Sequence, residues 1–145
     1  MVATDFSSIK RAVVQCVAGR REIQAAYVFG SVAADRARAD SDVDIAVLVD
    51  RRVRPAHRLK YQLKLMADLG SALHRSDVEV VILNEAPPLL AHRILSQGRL
   101  VFEQSASARV EFQVRTAGRY FDLIPMFETH IRYLKKSVRG GRVVG

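Results

Sequence analysis

The stretch IQAAYVFGSVAADRARADSDVDIAVLVD, residues 23–50, decides how this chain folds. It contains two apolar runs, Ala25 to Phe29 and Val43 to Val49, whose length and composition predict two buried strands. A Gly-Ser pair follows the first run, and an Asp-x-Asp sequence begins at the start of the second. The chemistry of the protein is therefore expected where these two strands meet polar residues.

The two aspartates, Asp42 and Asp44, are two positions apart and lie on the same side of an extended strand. Adjacent carboxylates repel each other and hold protons more tightly unless a cation lies between them. Magnesium favours carboxylate and phosphate oxygens together, so it is the cation that this pair predicts.

Gly30 and Ser31 supply the complementary half of a site. A glycine at a strand end lets the backbone approach a ligand closely, and a helix that begins there points N–H groups at an anion. A short helix is predicted from Ser31 to about Ala37. A carboxylate pair that faces a phosphate-binding turn is the chemistry of nucleotidyl transfer. The competing interpretation is a polar turn between hairpin strands, with Asp42 and Asp44 as solvated edge residues.

The spacing of these residues carries a family resemblance. Ten residues, Val32 through Ser41, separate the Gly-Ser pair from Asp-x-Asp. This pattern resembles the nucleotidyltransferase superfamily that includes DNA polymerase beta, in particular its minimal single-domain branch. The resemblance implies an α+β fold, with a small mixed sheet of about four strands, helices mainly on one face and a C-terminal helical segment. Residues 1–145 are expected to form one domain, with a core at about 5–104 and a helical extension at about 106–138.

The family adds a third carboxylate from a neighbouring strand, and the resemblance places Glu79 at that position. Glu79 lies in a predicted strand, Asp77 to Leu83, in the sequence Val-Glu-Val-Val. Relatives usually have aspartate there, which is one methylene shorter. Asp77 is the alternative ligand, and a solvated edge charge is the alternative interpretation of Glu79.

Later segments, within roughly residues 23–135, are similar to the antitoxin group of minimal nucleotidyltransferases. They include LNEAPPLL at 83–90, RIL at 93–95, GRLVFE at 98–103 and YFD at 120–122. These antitoxins are paired with helical HEPN ribonuclease toxins and transfer AMP from ATP to a toxin tyrosine. The resemblance implies a two-magnesium mechanism on Asp42, Asp44 and Glu79. It also implies phosphate binding by Gly30 and Ser31, and it aligns Arg38 with a common arginine. Ala34 and Asp35 depart from the usual residues.

Helical periodicity predicts the remaining elements. A first helix is capped by Thr4 or Asp5, and a second runs from His57 to His74 with Leu59, Leu63, Met66, Leu69 and Leu73 on one face. A third helix lies within 84–98, a fourth strand at 100–104, and a largely helical segment at 106–138. In that segment an apolar face of Val110, Val114, Ala117, Phe121 and Ile124 precedes Pro125, which is expected to break or kink the helix.

Composition sets further bounds. The chain has 145 residues, 49% hydrophobic and 26% charged, and its one cysteine, Cys16, cannot form an internal disulfide. With no apolar run of membrane-spanning length, we expect a cytoplasmic protein without a membrane partner. The 23 Lys and Arg residues outnumber the 15 acids, for a net charge of +8. This excess favours an acidic protein partner or RNA, although no RNA-recognition motif is present and RNA binding is not the expectation.

Three functions remain open from the sequence. The first is an antitoxin that transfers AMP to a cognate HEPN toxin. The second is a nucleotidyltransferase for a small hydroxylated molecule such as an aminoglycoside, which normally needs an additional domain. The third is a non-catalytic module that neutralises a toxin by occlusion or contacts RNA.

Overall fold

A computed structural model describes residues 5–33 and 42–139. Four helices and four strands follow one another along the chain, with short 3-10 turns at Pro55–His57 and Leu83–Glu85. The elements are α1 (Phe6–Val17), β1 (Ile23–Phe29), β2 (Val43–Val49), α2 (Arg58–Leu73), β3 (Val78–Ile82), α3 (Pro88–Gln97), β4 (Arg99–Glu103) and α4 (Ala106–Arg139).

The four strands form one mixed sheet in the order β3-β2-β1-β4. β1 pairs antiparallel with both β2 and β4, whereas β2 and β3 are parallel. A parallel pair needs a crossover, and α2 supplies it. The predicted α+β class and four-stranded mixed sheet are confirmed. Within the described residues, no helix is long and apolar enough to cross a membrane.

The larger core lies on the sheet face that α1 and α2 cover. Alternate strand residues such as Ile45 and Val47 pack there against Ile9 and Val13 of α1. From α2 the buried residues are Leu65, Leu69 and Leu73. The predicted α2 face was therefore partly wrong, because Leu59 and Leu63 are 68% and 56% exposed. At 3.6 residues per turn, Leu63 lies roughly 120° around the helix from Leu69.

The opposite sheet face is also covered, which the expectation of helices mainly on one face did not include. Ala25 and Tyr27 of β1, with Ala46 and Leu48 of β2, pack beneath Ile94 of α3 in a smaller core. Apolar side chains on both faces of the two central strands require cover on both sides. Helices α3 and α4 contact each other and β1, and they provide that cover.

Helix α4 departs from its predicted packing in two ways. It continues through Pro125 without the predicted break. Its inward side includes Thr116, only 4% exposed, and Tyr120, whose ring stacks on His92 of α3 with centroids 3.7 Å apart. The predicted apolar face is turned outward, since Val114 and Phe121 are 67% and 62% exposed. Apolar periodicity on this helix thus marks an exposed stripe.

Candidate functional site

Asp44 and Glu79 lie side by side on the sheet. They are direct partners in the parallel pairing of β2 with β3, so both side chains project from the same face. That face is the one covered by α3 and α4, because Ala46 and Leu48 of the same strand pack into the smaller core. The two carboxylates therefore lie together at the end of the sheet where β2 and β3 begin.

Gly30 lies directly against the side chain of Asp44. It follows the last residue of β1 and has a φ of +75°, a backbone conformation that L side chains rarely adopt. A Cβ added there would overlap Oδ2 of Asp44 and lie 3.2 Å from its Cγ. The neighbouring pair in the β1–β2 ladder is Phe29 and Asp44. Glycine at position 30 is therefore required by both the backbone turn and the position of the carboxylate.

Asp42 is exposed and immediately precedes β2. The pKa of the Asp44 carboxyl is raised above its ordinary value, first by burial and then by the negative charges of Asp42 and Glu79. The charges of Asp42 and Glu79 therefore reach the Asp44 carboxylate. Even so, no group of three His, Cys, Asp or Glu side chains within residues 5–33 and 42–139 could hold a metal ion.

This donor set is compatible with magnesium. Magnesium is usually bound by one or two carboxylates together with substrate phosphates, so a preformed protein cage is not needed. Burial, and then the negative charges of Asp42 and Glu79, raise the pKa of Asp44, and a bound divalent cation would favour its charged form. Asp42 and Asp44 are the residues that would hold such an ion.

A cleft of about 420 Å³ lies beside Gly30 and Ser31. Its other wall comes from α3, where Arg93 and Gln97 contribute polar side chains next to the apolar Ile94. Sequence reasoning assigned no role to Arg93 or Gln97. The available signal was their spacing of four on one helix, which places both on the same side. The cleft gives the Gly-Ser turn a cationic neighbour.

The carboxylate of Asp77, the alternative ligand, forms an ion pair with an arginine. Arg75 donates to both of its carboxylate oxygens, with N–O distances of 2.7 and 2.6 Å. These hydrogen bonds lower the pKa of Asp77. The Asp77 carbonyl also accepts the backbone N–H of Val43, which ties the start of β2 to the residue before β3. Asp77 therefore serves the strand junction, and Glu79 is the carboxylate next to Asp44.

Two of the sequence predictions cannot be compared with the fold. Arg38 lies outside the described residues, as do Ala34 and Asp35. Of the helix predicted from Ser31, residues 31–33 form a turn, and the remainder is also outside the described ranges.

Comparison with protein families identifies the class. The profile of the family described as polymerase beta, nucleotidyltransferase, matches residues 12–107, which include both central strands and the Gly-Ser and Asp-x-Asp sequences. The chain belongs to this nucleotidyltransferase family. No curated protein matches the chain.

Solved structures with the same fold come from toxin–antitoxin complexes. A chain of a toxin–antitoxin structure with AMP-PNP is 24% identical, with a TM-score of 0.69 over 87% of this chain and 98% of that one. A chain of the MntA-HepT complex is 23% identical, with a TM-score of 0.65 over 89% and 98%. The same values describe the match to a chain from the structure of a complex between a tri-AMPylated Shewanella oneidensis HEPN toxin and MNT antitoxin. These similarities show the fold.

Proposed function

We propose that this protein is an antitoxin that transfers AMP from ATP to a tyrosine of a cognate HEPN-type toxin. The observation that carries the proposal is the packing of Asp44 between Gly30 and its partner Glu79, beside a cleft large enough for part of a nucleotide. Support for the acceptor comes from the similar fold found in a complex whose HEPN toxin is tri-AMPylated.

Different residues of the chain would bind the phosphates and the metal at this site. Ser31 and the backbone N–H groups of its turn hold the leaving phosphates, with Arg93 across the cleft as a cationic neighbour. Asp42 and Asp44 are the residues that would hold magnesium, and Glu79 would assist on the side of the attacking group. Bound magnesium would lower the pKa of the attacking hydroxyl and neutralise charge on the phosphates.

The transfer itself is a substitution at the α-phosphorus. The tyrosine oxygen forms a bond to that phosphorus, the bond to the bridging oxygen of the β-phosphate breaks, and pyrophosphate leaves. The hydroxyl proton is released to water. Positioning and charge neutralisation account for the catalysis, so displaced carboxylates should remove it.

A protein acceptor suits the surface around the site better than a free sugar. Glu79 and Asp42 are exposed, and a docking protein would bring its own wall to them. The outer part of α4 offers a second contact, because Phe127, Ile131 and Leu134 are 42%, 51% and 45% exposed. Basic residues Arg132, Lys135 and Lys136 alternate with this stripe and favour an acidic partner.

The test uses two catalytic variants and one remote variant with the cognate toxin, ATP and magnesium. Asp42→Asn and Asp44→Asn should each lower AMP transfer at least about 100-fold, because metal ligands matter more than the outer partners whose loss costs 10–100-fold. Asp68→Asn removes a carboxylate that pairs with Arg20, away from the proposed site, and should transfer normally. Intact mass measures the adduct, and RNA cleavage measures toxin activity.

The exposed stripe on α4 also favours neutralisation by occlusion, since binding alone could cover a toxin's active surface. In that case Asp44→Asn would neutralise as well as wild type, and neither mixture would contain an adduct. That pair of results would replace the catalytic proposal with the occlusion one.

A further inference from the structure

A second concave surface lies at the other end of β2 from the carboxylates. This cavity of about 670 Å³ is bordered by the end of β2, the loop after it and the first half of α4. Leu48 and Val49 line it at the strand end, whereas Asp44 lies four residues earlier on β2. At about 3.3 Å per strand residue, the two sites are separated by roughly 13 Å or more.

Arginine dominates the charge of this cavity. Its lining residues include five arginines and two carboxylates, and no lysine. The arginines are Arg51, Arg52, Arg58, Arg115 and Arg119. Arg52 pairs with Asp50 at 2.6 Å, whereas Arg115 and Glu111 are 3.9 Å apart with side chains 55% and 78% exposed. Arg51 and Arg119 have no ion pair among the described residues. Arg58, at the start of α2, pairs with Glu85 at 2.5 Å. The excess positive charge of the cavity therefore comes from Arg51 in the loop and Arg119 on α4.

The walls of the cavity are held in place. The amide of Asn84 accepts the backbone N–H of Val49 and donates to the carbonyl of the same residue, both at 2.9 Å. Leu48 is 3% exposed, and Phe112 is half-buried against the smaller core. A fixed apolar floor beneath several guanidinium groups is typical of a small-molecule site more than of a solvated basic face.

We propose that this cavity binds a compact polyphosphate group, either free or as the tail of a nucleotide. Arginine presents a planar fork of donors that matches phosphate oxygens in pairs, and its exclusive use here favours phosphate. A volume of about 670 Å³ falls within the range of small-ligand pockets. The site is separate from the proposed catalytic one, so each can fail without the other.

The experiment is a calorimetric titration of the full-length protein with sodium tripolyphosphate in EDTA. Without a cation, the Asp42, Asp44 and Glu79 carboxylates repel triphosphate, so binding reports the basic cavity. The wild type should bind saturably at one site. Arg51→Gln combined with Arg119→Gln should weaken binding about tenfold or more, since each guanidinium contributes charge-assisted hydrogen bonds. Lys10→Gln combined with Lys64→Gln removes the same charge from α1 and α2, on the other face of the sheet, and should leave the affinity unchanged.

Three results would overturn the proposal. They are the absence of saturable binding by the wild type, an equal loss of affinity in the lysine control, and binding of a hexaglutamate peptide where tripolyphosphate does not bind. ATP in the same buffer distinguishes the sources of the ligand. A nucleotide should bind more tightly than tripolyphosphate because its base can contact Phe112, whereas a free polyphosphate ligand predicts the reverse order.

Discussion

Residues from three separate segments surround the carboxylate of Asp44. Gly30 leaves room for its carboxylate, Glu79 lies beside it on the next strand, and Asp42 adds charge from the chain immediately before β2. Without a cation this is an electrostatically unfavourable arrangement. The consequences are measurable in both stability and activity.

We expect Asp44→Asn to stabilise the metal-free protein at neutral pH. The ordinary pKa of an aspartate carboxyl is 3.8, and the pKa of Asp44 is raised above this value in the folded chain by burial and by the charges of Asp42 and Glu79. Its protonated form therefore favours folding below pH 3.8, and this contribution is lost as the pH rises through the raised pKa. The variant should melt about 1–3 °C higher than wild type at pH 7, a small shift because partial exposure screens the repulsion.

Thermal unfolding in EDTA between about pH 4 and pH 8 measures this difference. It should shrink toward the acid end, and added magnesium should stabilise the wild type more than the variant. A variant that melts below wild type at pH 7 would show that the charges do not repel as described.

Gly30→Ala should lose both stability and transfer activity. The left-handed backbone at this position costs a non-glycine residue about 1–3 kcal/mol in the free energy of unfolding. The new methyl group also displaces the Asp44 carboxylate. Gly19→Ala is the matched control, since a Cβ there meets no atom within 4 Å and its φ is not positive. Denaturant titration measures the stability of the two variants, and adduct mass measures their transfer activity. Equal stability and equal activity of the two variants would contradict the close packing of Gly30 against Asp44.

Sequence predicted part of this site and missed part for a physical reason. The Gly-Ser and Asp-x-Asp residues were found because strand alternation and fixed spacing act locally along the chain. Glu79 required the family resemblance. The cleft position of Arg93 depends on how separate elements pack, which periodicity does not contain. The roles of Asp42, Asp44, Glu79, Gly30 and Ser31 remain predictions.

At the scale of elements, apolar spacing found the helices but not their buried sides. On α2 and α4 it selected residues such as Leu63 and Val114 that are more than half exposed. A helix with apolar residues around much of its circumference has several stripes that satisfy the same period. Packing against the sheet and α3 decided which stripe became core. The exposed stripes then become candidate contact surfaces.

Ile131→Asp should weaken toxin binding. Ile131 is 51% exposed in the apolar stripe of α4, and a charge there would have to be desolvated in an interface. Leu63→Asp is the matched control on α2, where the leucine is 56% exposed. Biolayer interferometry should show at least about a tenfold loss for Ile131→Asp, as expected for a central apolar contact. Equal affinities for the two variants would exclude this part of α4 from the interface.

At the scale of the whole molecule, the strand order could be deduced only in outline. The sequence predicted four strands, but the parallel β2–β3 pair and the edge position of β4 depend on contacts between residues far apart in the chain. The cover on both faces followed from small side chains such as Ala25 and Ala46, which carry little signal in a hydrophobic pattern. Overall charge, by contrast, is a property that the sequence states directly.

The net charge of +8 should accelerate association with an acidic toxin. Long-range attraction acts on the encounter and is screened by salt, whereas the docked contacts are affected less. Raising sodium chloride from about 0.05 to 0.5 M should slow association about tenfold or more and leave dissociation nearly unchanged. Stopped-flow fluorescence measures both rates. An association rate that does not depend on salt would rule out electrostatic steering.

The strand order β3-β2-β1-β4 also bears on how the protein is made. During synthesis, Asp42, Asp44 and Glu79 all leave the ribosome before β4, the edge strand that pairs with β1. Until then the outer edge of β1 has unpaired backbone groups and can pair with other chains. The nascent protein thus passes through a stage in which its proposed catalytic strands have been synthesised while the outer edge of β1 is still unpaired. The time taken to translate residues 83–103, which follow β3 and end with β4, sets how long that stage lasts.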